Sequence, residues 1–179
     1  MSSILGLVSE LERIARALDG DGADAVQPSL PAIAGKIAKI IGVRDEEVAV
    51  LAVSKRWKHL HFLVPEALKS VGFIPLSSNS ALAAKTARES RPEIDNNFSA
   101  ARHAVVFENI KLTGESLDPI QKIISAPILF DSRVVGVIQV SRKGATAAAA
   151  GADFTAEHLG NLLALCKPLG RFVHRAAGE

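Results

Sequence analysis

Cysteine is almost absent from this chain of 179 residues, in which Cys166 is the single example. One cysteine excludes an internal disulfide, and it also excludes a zinc site built on several thiolates. Chains that do without disulfides are typical of reducing compartments. We therefore expect a cytoplasmic protein.

Long apolar runs and an excess of one charge sign are missing as well. No stretch approaches the roughly 20 apolar residues of a membrane span, and the N-terminus has no basic leader of the kind that opens a signal peptide. The formal net charge is only +2, with Lys and Arg scattered along the chain. Since a nucleic-acid surface needs clustered basic residues, we expect neither a nucleic-acid nor a membrane partner.

The chain does contain enough apolar sequence for a packed core. Apolar residues make up 48% of it, which excludes a disordered protein, and its length fits one domain. We divide that single domain into an N-terminal amphipathic helix with its loop, residues 1–27, and a main part, residues 28–179.

Apolar residues recur at the spacing of an α-helix in four segments. Ser29 precedes the second segment as a predicted cap, and Gly42 stops it. Thr155 opens the last segment, with Phe154 placed ahead of it for an apolar contact with Leu159. The predicted helices are residues 4–18, 29–41, 80–88 and 155–173.

Strands are predicted where apolar residues cluster or alternate with polar ones. The clearest signal is a β-hairpin in which two apolar runs flank the turn Asp131-Ser132. The predicted strands are residues 48–53, 57–64, 123–130 and 133–140. Residues 73–76 and 93–95 give weaker signals for short strands, and residues 96–112 fit a helix, a strand or a mobile lid. Strand pairs separated by helices, without strict alternation, indicate an antiparallel sheet backed by helices, the α+β class.

From residue 28 onward this order resembles a GAF domain, a small-molecule-sensing module. The best matches are Ser125-Ala126-Pro127-Ile128, Val135-Gly136-Val137-Ile138-Gln139-Val140 and Phe154-Thr155. The resemblance implies a GAF-like, PAS-related fold. In that fold the N- and C-terminal helices pack on one face of a twisted antiparallel sheet, and a ligand pocket lies on the other.

The resemblance also implies a function. It indicates a sensory or regulatory protein that binds an unidentified small molecule and, with no output domain attached, acts through a signalling partner. Family members often dimerise through their terminal helices, and the wide apolar arc of the first helix also needs a second surface, so we expect a homodimer. A ligand-free dimerisation or adaptor module is the alternative, and a small enzyme is less favoured. No cofactor is identified.

Three activities known in the family fit this sequence poorly. Members that bind cyclic nucleotides share an Asn-Lys after the last strand, where this chain has Ser141-Arg142. Members that reduce free methionine sulfoxide use several cysteines, and a lone Cys166 cannot form the disulfide that this chemistry needs. Bilin-binding members use a cysteine nearer the pocket, whereas Cys166 lies on the last predicted helix.

Two polar residues interrupt the apolar strands of the hairpin. A buried Ser125 or Gln139 needs a hydrogen-bond partner, which either a ligand or a neighbouring group of the protein would supply. The resemblance puts the pocket between residues 57–64, 96–110 and 123–140, and Arg102 in that region could hold a carboxylate or phosphate. The candidate ligand-binding residues are Ser125, Gln139, Arg102, His103, Asn97, Phe98, Phe107 and His61.

Metal and catalytic sites have weaker signals. His59 and His61 share a strand face and would hold a metal only if a third ligand, such as His103, approached them. No carboxylate or cysteine shows ligand spacing, so no metal site is predicted. The sequence also has no nucleophile elbow, P-loop or dinucleotide fingerprint, and we predict no catalytic residue.

Overall fold

A computed structural model describes residues 3–17, 29–98 and 118–177. In chain order its elements are α1 (Ile4–Ala17), α2 (Leu30–Ile41), β1 (Val48–Ser54), β2 (His59–Val64), β3 (Phe73–Pro75), α3 (Leu82–Glu89), β4 (Glu93–Asp95), β5 (Ile120–Phe130), β6 (Arg133–Lys143) and α4 (Ala156–Ala176). Within the described ranges the strands form one antiparallel sheet in the order β3-β2-β1-β6-β5-β4. The predicted α+β class is confirmed.

The helix ends follow from local chemistry, as the sequence predicts. The Ser29 hydroxyl accepts a hydrogen bond from the Ala32 amide at 3.3 Å at the start of α2. Gly42 ends α2 with φ +79°, a left-handed conformation that glycine adopts at little cost. Thr155 caps α4 by accepting a hydrogen bond from the His158 amide at 3.3 Å. These caps satisfy backbone groups that a helix end leaves unpaired.

The hairpin of β5 and β6 is longer than predicted, since pairing continues from Ile120 opposite Lys143 to the turn. Asp131 and Ser132 both have positive φ, at +47° and +60°. Two successive residues in this conformation match the right-handed twist of the flanking strands, which is the geometry of tight hairpins. The longer pairing gives β5 and β6 eleven residues each, so they span the sheet.

Helices α1, α2 and α4 pack on one face of the sheet, which we call the terminal-helix face. Their apolar side chains form one cluster with Ile124, Ala126 and Ile138 of the strands. Helix α4 lies close to β5 at Gly170, where an added Cβ would overlap the carbonyl group of Leu129. The lack of a side chain at Gly170 therefore allows this close approach. The predicted layer of terminal helices on one face is confirmed.

The opposite face of the sheet, which we call the α3 face, carries α3. There Ala83 and Ala84 pack against Leu51, Leu60 and Val137. Small alanines on α3 allow the helix backbone to lie close to the sheet. Among the described helices, none combines the length and the apolar character that a bilayer crossing needs.

Candidate functional site

Four residues on neighbouring strands form one row across the α3 face. Glu93 of β4 pairs with Ser125 of β5, Ser125 pairs with Gln139 of β6, and Gln139 pairs with Ala49 of β1. We call this set the cross-strand row. Side chains alternate between the two faces of a sheet along each strand. Because Ile124 faces the terminal helices, Ser125 points to the α3 face. Ser125 and Gln139 are separate candidates in the sequence, and the fold makes them neighbours.

Helix α3 covers the β4 end of the cross-strand row with two polar contacts. The Lys85 ammonium lies 2.8 Å from the Glu93 carboxylate, and this hydrogen bond raises the pKa of Lys85. One residue further along, the Thr86 and Ser125 hydroxyl oxygens are 2.7 Å apart. Both hydroxyls are buried, so α3 is joined to the sheet through a bond that is shielded from water.

The hydrogen bonds of this end run in one direction. The Thr86 hydroxyl donates to the Leu82 carbonyl at 2.9 Å. Because a hydroxyl carries one proton, Thr86 must accept from Ser125, and Ser125 must then accept from another donor. That donor is the side-chain nitrogen of Gln139, at 3.2 Å. The chain of donation therefore runs from Gln139 through Ser125 and Thr86 to Leu82.

The other end of the cross-strand row is open. Gln139 and Ala49 are only half-buried, although β6 and β1 are the two central strands of the sheet. In the described part of the chain, Gln139 makes no side-chain hydrogen bond besides the one to Ser125. Ala49 is an apolar neighbour that packs against the apolar cluster of the α3 face and offers the amide no side-chain partner. At this open end, the side-chain amide of Gln139 is held in one orientation by Ser125 and is partly exposed.

Phe98 and Asn97 follow β4 and lie near the cross-strand row in different ways. Phe98 is buried and packs with Leu82 and Ile123 on the α3 face. Asn97 is exposed, and its backbone amide donates to the Asp95 carboxylate at 2.8 Å. Phe98 therefore flanks the row as an apolar wall, while Asn97 lies in the turn at its edge.

His61 lies on the other side of the sheet. Its neighbours Leu60 and Phe62 both pack on the α3 face, so the side chain between them points to the terminal-helix face. The grouping of His61 with Ser125 and Gln139 is therefore corrected, because the sheet separates them. Three further candidates lie outside the described residues: Arg102, His103 and Phe107.

Two further polar residues, not among the candidates predicted from the sequence, hold this region together. Thr86 is buried in α3, and a threonine among the alanines and leucine of a short amphipathic helix was the available signal. Asn96 donates to the Phe154 carbonyl at 3.0 Å and accepts from the Phe154 amide at 2.8 Å. These paired bonds tie the turn after β4 to the start of α4.

Metal and thiol chemistry find little support in the described residues. Among them, no three His, Cys, Asp or Glu side chains come together as a metal site. The ring centroids of His59 and His61 lie 6.0 Å apart, and His59 stacks on Phe73 at 4.6 Å. Burial raises the pKa of the Cys166 thiol to about 12, which disfavours the reactive thiolate.

An open depression of about 370 Å³ lies apart from the cross-strand row, on the terminal-helix side of the sheet. It is lined by Leu30, Pro31, Leu63, Lys69, Phe172, Arg175 and Ala176. Its lining comes from the start of α2, the end of β2 and the end of α4. The sheet separates this depression from Gln139.

Comparisons with known proteins give no match to a protein-family model and none to a curated protein. Solved structures do match. The GAF domain of a phosphoenolpyruvate-protein phosphotransferase from Acinetobacter superposes with a TM-score of 0.66 at 15% identity, over 98% of this chain and 95% of that one. The corresponding domain from Coxiella burnetii gives a TM-score of 0.64 at 10% identity, over 98% and 96% of the two chains.

A third similar structure is an enzyme. The free methionine-R-sulfoxide reductase from Neisseria meningitidis, solved in complex with its substrate, gives a TM-score of 0.58 at 17% identity, over 97% of this chain and 91% of that one. At such identities, likeness extends to the fold and not to the activity. The sheet order, the layer of terminal helices and these superpositions together show that the chain has the GAF fold over nearly its whole length.

Proposed function

We propose that this GAF-fold protein is a sensory or regulatory protein that binds a small molecule at the open end of the cross-strand row. It would transmit binding to a partner protein. The observation that carries the proposal is the half-buried Gln139 on a central strand, held by Ser125 and retaining unused hydrogen-bonding capacity. Few convergent polar groups on an otherwise apolar surface are typical of small-molecule sites.

Gln139 differs in this respect from the residues that anchor it. Thr86 and Ser125 satisfy one another and the Leu82 carbonyl, so a structural role explains both of them. Gln139 donates one N–H group to Ser125, and its second N–H group and its carbonyl oxygen can bond another partner. Ligand contact at Gln139 would reach α3 through two further hydrogen bonds. This short path supports a regulatory role in which α3 responds to binding.

Native mass spectrometry of the purified protein, compared with its denatured mass, tests the proposal. We expect additional non-covalent mass on the native protein, and we expect it to be lost in Gln139→Met, which keeps the length of the side chain but removes the amide. Asn161→Ala, which also removes a side-chain amide but lies on α4, on the terminal-helix side of the sheet, is the matched control and should retain the mass. A native mass equal to the denatured mass per subunit, also after incubation with cell extract, would contradict ligand binding.

An adaptor without a ligand is the second candidate function. It is favoured by Phe98, which fills part of the α3 face by packing on Leu82 and Ile123. Phe98 does not account for the open end, where Gln139 and Ala49 stay half-buried. An adaptor would carry no bound mass in the native spectrum, so the same experiment separates the two functions.

A reductase is the third candidate, because one similar structure is a free methionine-R-sulfoxide reductase. Reduction of a sulfoxide by thiols ends in a disulfide, and a disulfide within one chain needs two cysteines. This chain has one, and Cys166 is buried with a raised pKa. We therefore propose a binding protein rather than an enzyme, and the cytoplasmic location stays a prediction from cysteine usage.

We also propose that the protein is a homodimer that associates through its terminal helices. Most of the apolar stripe of α1 is used within the subunit, where Ile4, Leu7 and Leu11 are buried. Leu5 of α1 and Leu163 of α4 remain 75% and 38% exposed. These two side chains are the apolar surface on the terminal helices that a second subunit would cover.

A further inference from the structure

The Gln139 amide is oriented by its surroundings. Glutamine oxygen and nitrogen are distinguished only by their hydrogen bonds, and here the bonds decide. Ser125 gives its single proton to Thr86, so it must accept from Gln139, and the nitrogen rather than the oxygen of the amide faces Ser125. One N–H donor and the carbonyl acceptor of the planar amide remain for a ligand.

The two charges carried by the cross-strand row and its described α3 partners neutralise one another. Glu93, at the far end of the cross-strand row, is paired with Lys85 at 2.8 Å. Ala49, on the other side of Gln139, carries no polar group. Among these row residues and their α3 partners, no unpaired charge is left to attract an ion.

The remaining donor and acceptor restrict the ligand group that fits. A carboxylate or phosphate oxygen would accept from the N–H group but would also face the amide oxygen, which repels it. An ammonium group would bond the oxygen but would face the N–H dipole. If the N–H trans to the amide oxygen faces Ser125, the other N–H lies beside the oxygen, and a neutral edge that both donates and accepts then pairs with both groups. An unpaired polar group in a partly desolvated site carries a free-energy penalty.

We propose that the open end of the cross-strand row recognises a neutral ligand edge on which an N–H group and a carbonyl oxygen lie side by side. Lactams and primary carboxamides carry this edge. The inference rests on the proposed function and adds the chemical class of the ligand group that contacts Gln139. Thr86 and Ser125 then act as positioning residues, because they fix which atom of the amide faces Ser125.

Nitrogen-15 NMR of the full chain, titrated with four small probes, tests this ligand class. Benzamide carries the edge on a carboxamide and caprolactam carries it on a lactam. Benzoate lacks the donor and adds a charge, and N,N-dimethylbenzamide keeps the carbonyl but lacks the N–H group. The side-chain amide signal of Gln139 is identified by its disappearance in Gln139→Met.

We expect benzamide or caprolactam to shift the Gln139 side-chain signal, and the stronger of the two tells carboxamide from lactam. Benzoate and N,N-dimethylbenzamide should bind about tenfold more weakly, the effect of one lost hydrogen bond. Gln139→Glu keeps an acceptor but no donor, so it should lose this discrimination, whereas Asn161→Ala on α4 should keep it. The backbone spectrum of each variant verifies its fold.

Three results would overturn the inference. Equal binding of benzoate and benzamide, or unchanged benzamide binding by Gln139→Met, refutes the ligand class. In both cases the proposed function survives if the Ala49 and Val137 backbone signals shift, since ligand then still enters at this face. If no probe shifts any of these signals, the ligand class is refuted, and the native mass decides separately whether the proposed function stands.

Discussion

Thr86 is the residue through which α3 and the sheet are joined most directly. Its hydroxyl is buried and serves two partners, the Leu82 carbonyl within the helix and Ser125 on β5. In a site that excludes water, removing one of two hydrogen-bonded groups is costly, because the other group stays buried without a partner. The pair therefore contributes to stability mainly through the penalty for disrupting it.

Removal of either hydroxyl should destabilise the protein, and removal of both should cost less than the sum. We expect Thr86→Val and Ser125→Ala each to lower the free energy of unfolding by about 1–3 kcal/mol. The double variant should show a coupling of about 0.5 kcal/mol or more, because neither unpaired hydroxyl remains. Urea denaturation of the four proteins measures this cycle. Strictly additive effects would show that the two hydroxyls do not interact.

Glu47 is a second residue for which the contribution to stability can be measured by a single substitution. It is buried just before β1, and burial acts to raise its pKa. Hydrogen bonds from the Arg44 side chain, from the Arg44 amide and from the Lys143 amide outweigh burial, so the pKa of Glu47 is lowered from its ordinary value of 4.5. The carboxylate joins the start of β1 to the end of β6, with the Lys143 amide at 2.8 Å.

This lowered pKa predicts an acid-sensitive contribution to stability. A carboxyl group that holds its proton less tightly when folded stabilises the protein above its ordinary pKa, and the effect is lost as pH falls through the folded-state value. Glu47→Gln should therefore be less stable than the parent chain near neutral pH, by about 1–3 kcal/mol. The gap should narrow below the ordinary value of 4.5. Urea midpoints over a pH series measure it, and a constant gap would contradict the prediction.

At the scale of elements, the contact between α4 and the hairpin depends on a missing side chain. Gly170 of α4 lies against the Leu129 carbonyl group of β5, where an added Cβ would overlap backbone atoms that cannot rotate away. Gly160 lies in the same helix, but nothing comes within 4 Å of the position of its Cβ. An alanine at Gly170 therefore tests close packing, whereas an alanine at Gly160 tests helix propensity alone.

We expect opposite effects from the same substitution at these two glycines. Gly170→Ala should force α4 away from the sheet and lower the free energy of unfolding by about 1–3 kcal/mol. Gly160→Ala should raise it by about 0.5–1 kcal/mol, because alanine loses less backbone entropy in a helix. Thermal unfolding followed by circular dichroism compares them. A stabilising Gly170→Ala would mean that α4 does not approach the hairpin this closely.

At the scale of the whole molecule, the terminal helices serve the subunit first. Their largest apolar side chains complete the core on the terminal-helix face. The proposed association would therefore use the apolar side chains that stay exposed on the described parts of these helices, chiefly Leu5 and Leu163. A dimer built on so few side chains should be sensitive to single charges placed there.

The proposed homodimer predicts a definite mass in solution. Size-exclusion chromatography with light scattering should report a dimer for the parent chain at micromolar concentration. Leu5→Glu or Leu163→Glu should shift it toward monomer, because a charge would be buried without a partner. Trp57→Glu, at an exposed side chain outside the terminal helices, is the control and should remain dimeric. A monomeric parent chain would refute the association.

Local signals in the sequence account for most of the helices and strands and for the fold class. Ser29, Gly42 and Thr155 mark helix ends because their side chain or lack of one acts on backbone groups a few residues away. The hairpin is equally local, since Asp131 and Ser132 need only accept left-handed angles. Ser125 and Gln139 stood out because a polar residue breaks an apolar run. Signals of this kind are readable because cause and effect lie within one turn or strand.

Which of these residues meet depends on how distant elements pack against one another. Alternation along β2 places the side chain of His61 on the opposite face of the sheet from Leu60 and Phe62. It does not say which of the two faces carries α3. Thr86 and Ser125 are 39 residues apart and meet because α3 crosses the sheet at that point. Contacts between distant elements depend on strand register and helix position, which arise from packing the whole core. The sequence accordingly indicated polar residues of the site, and the fold chose their partners.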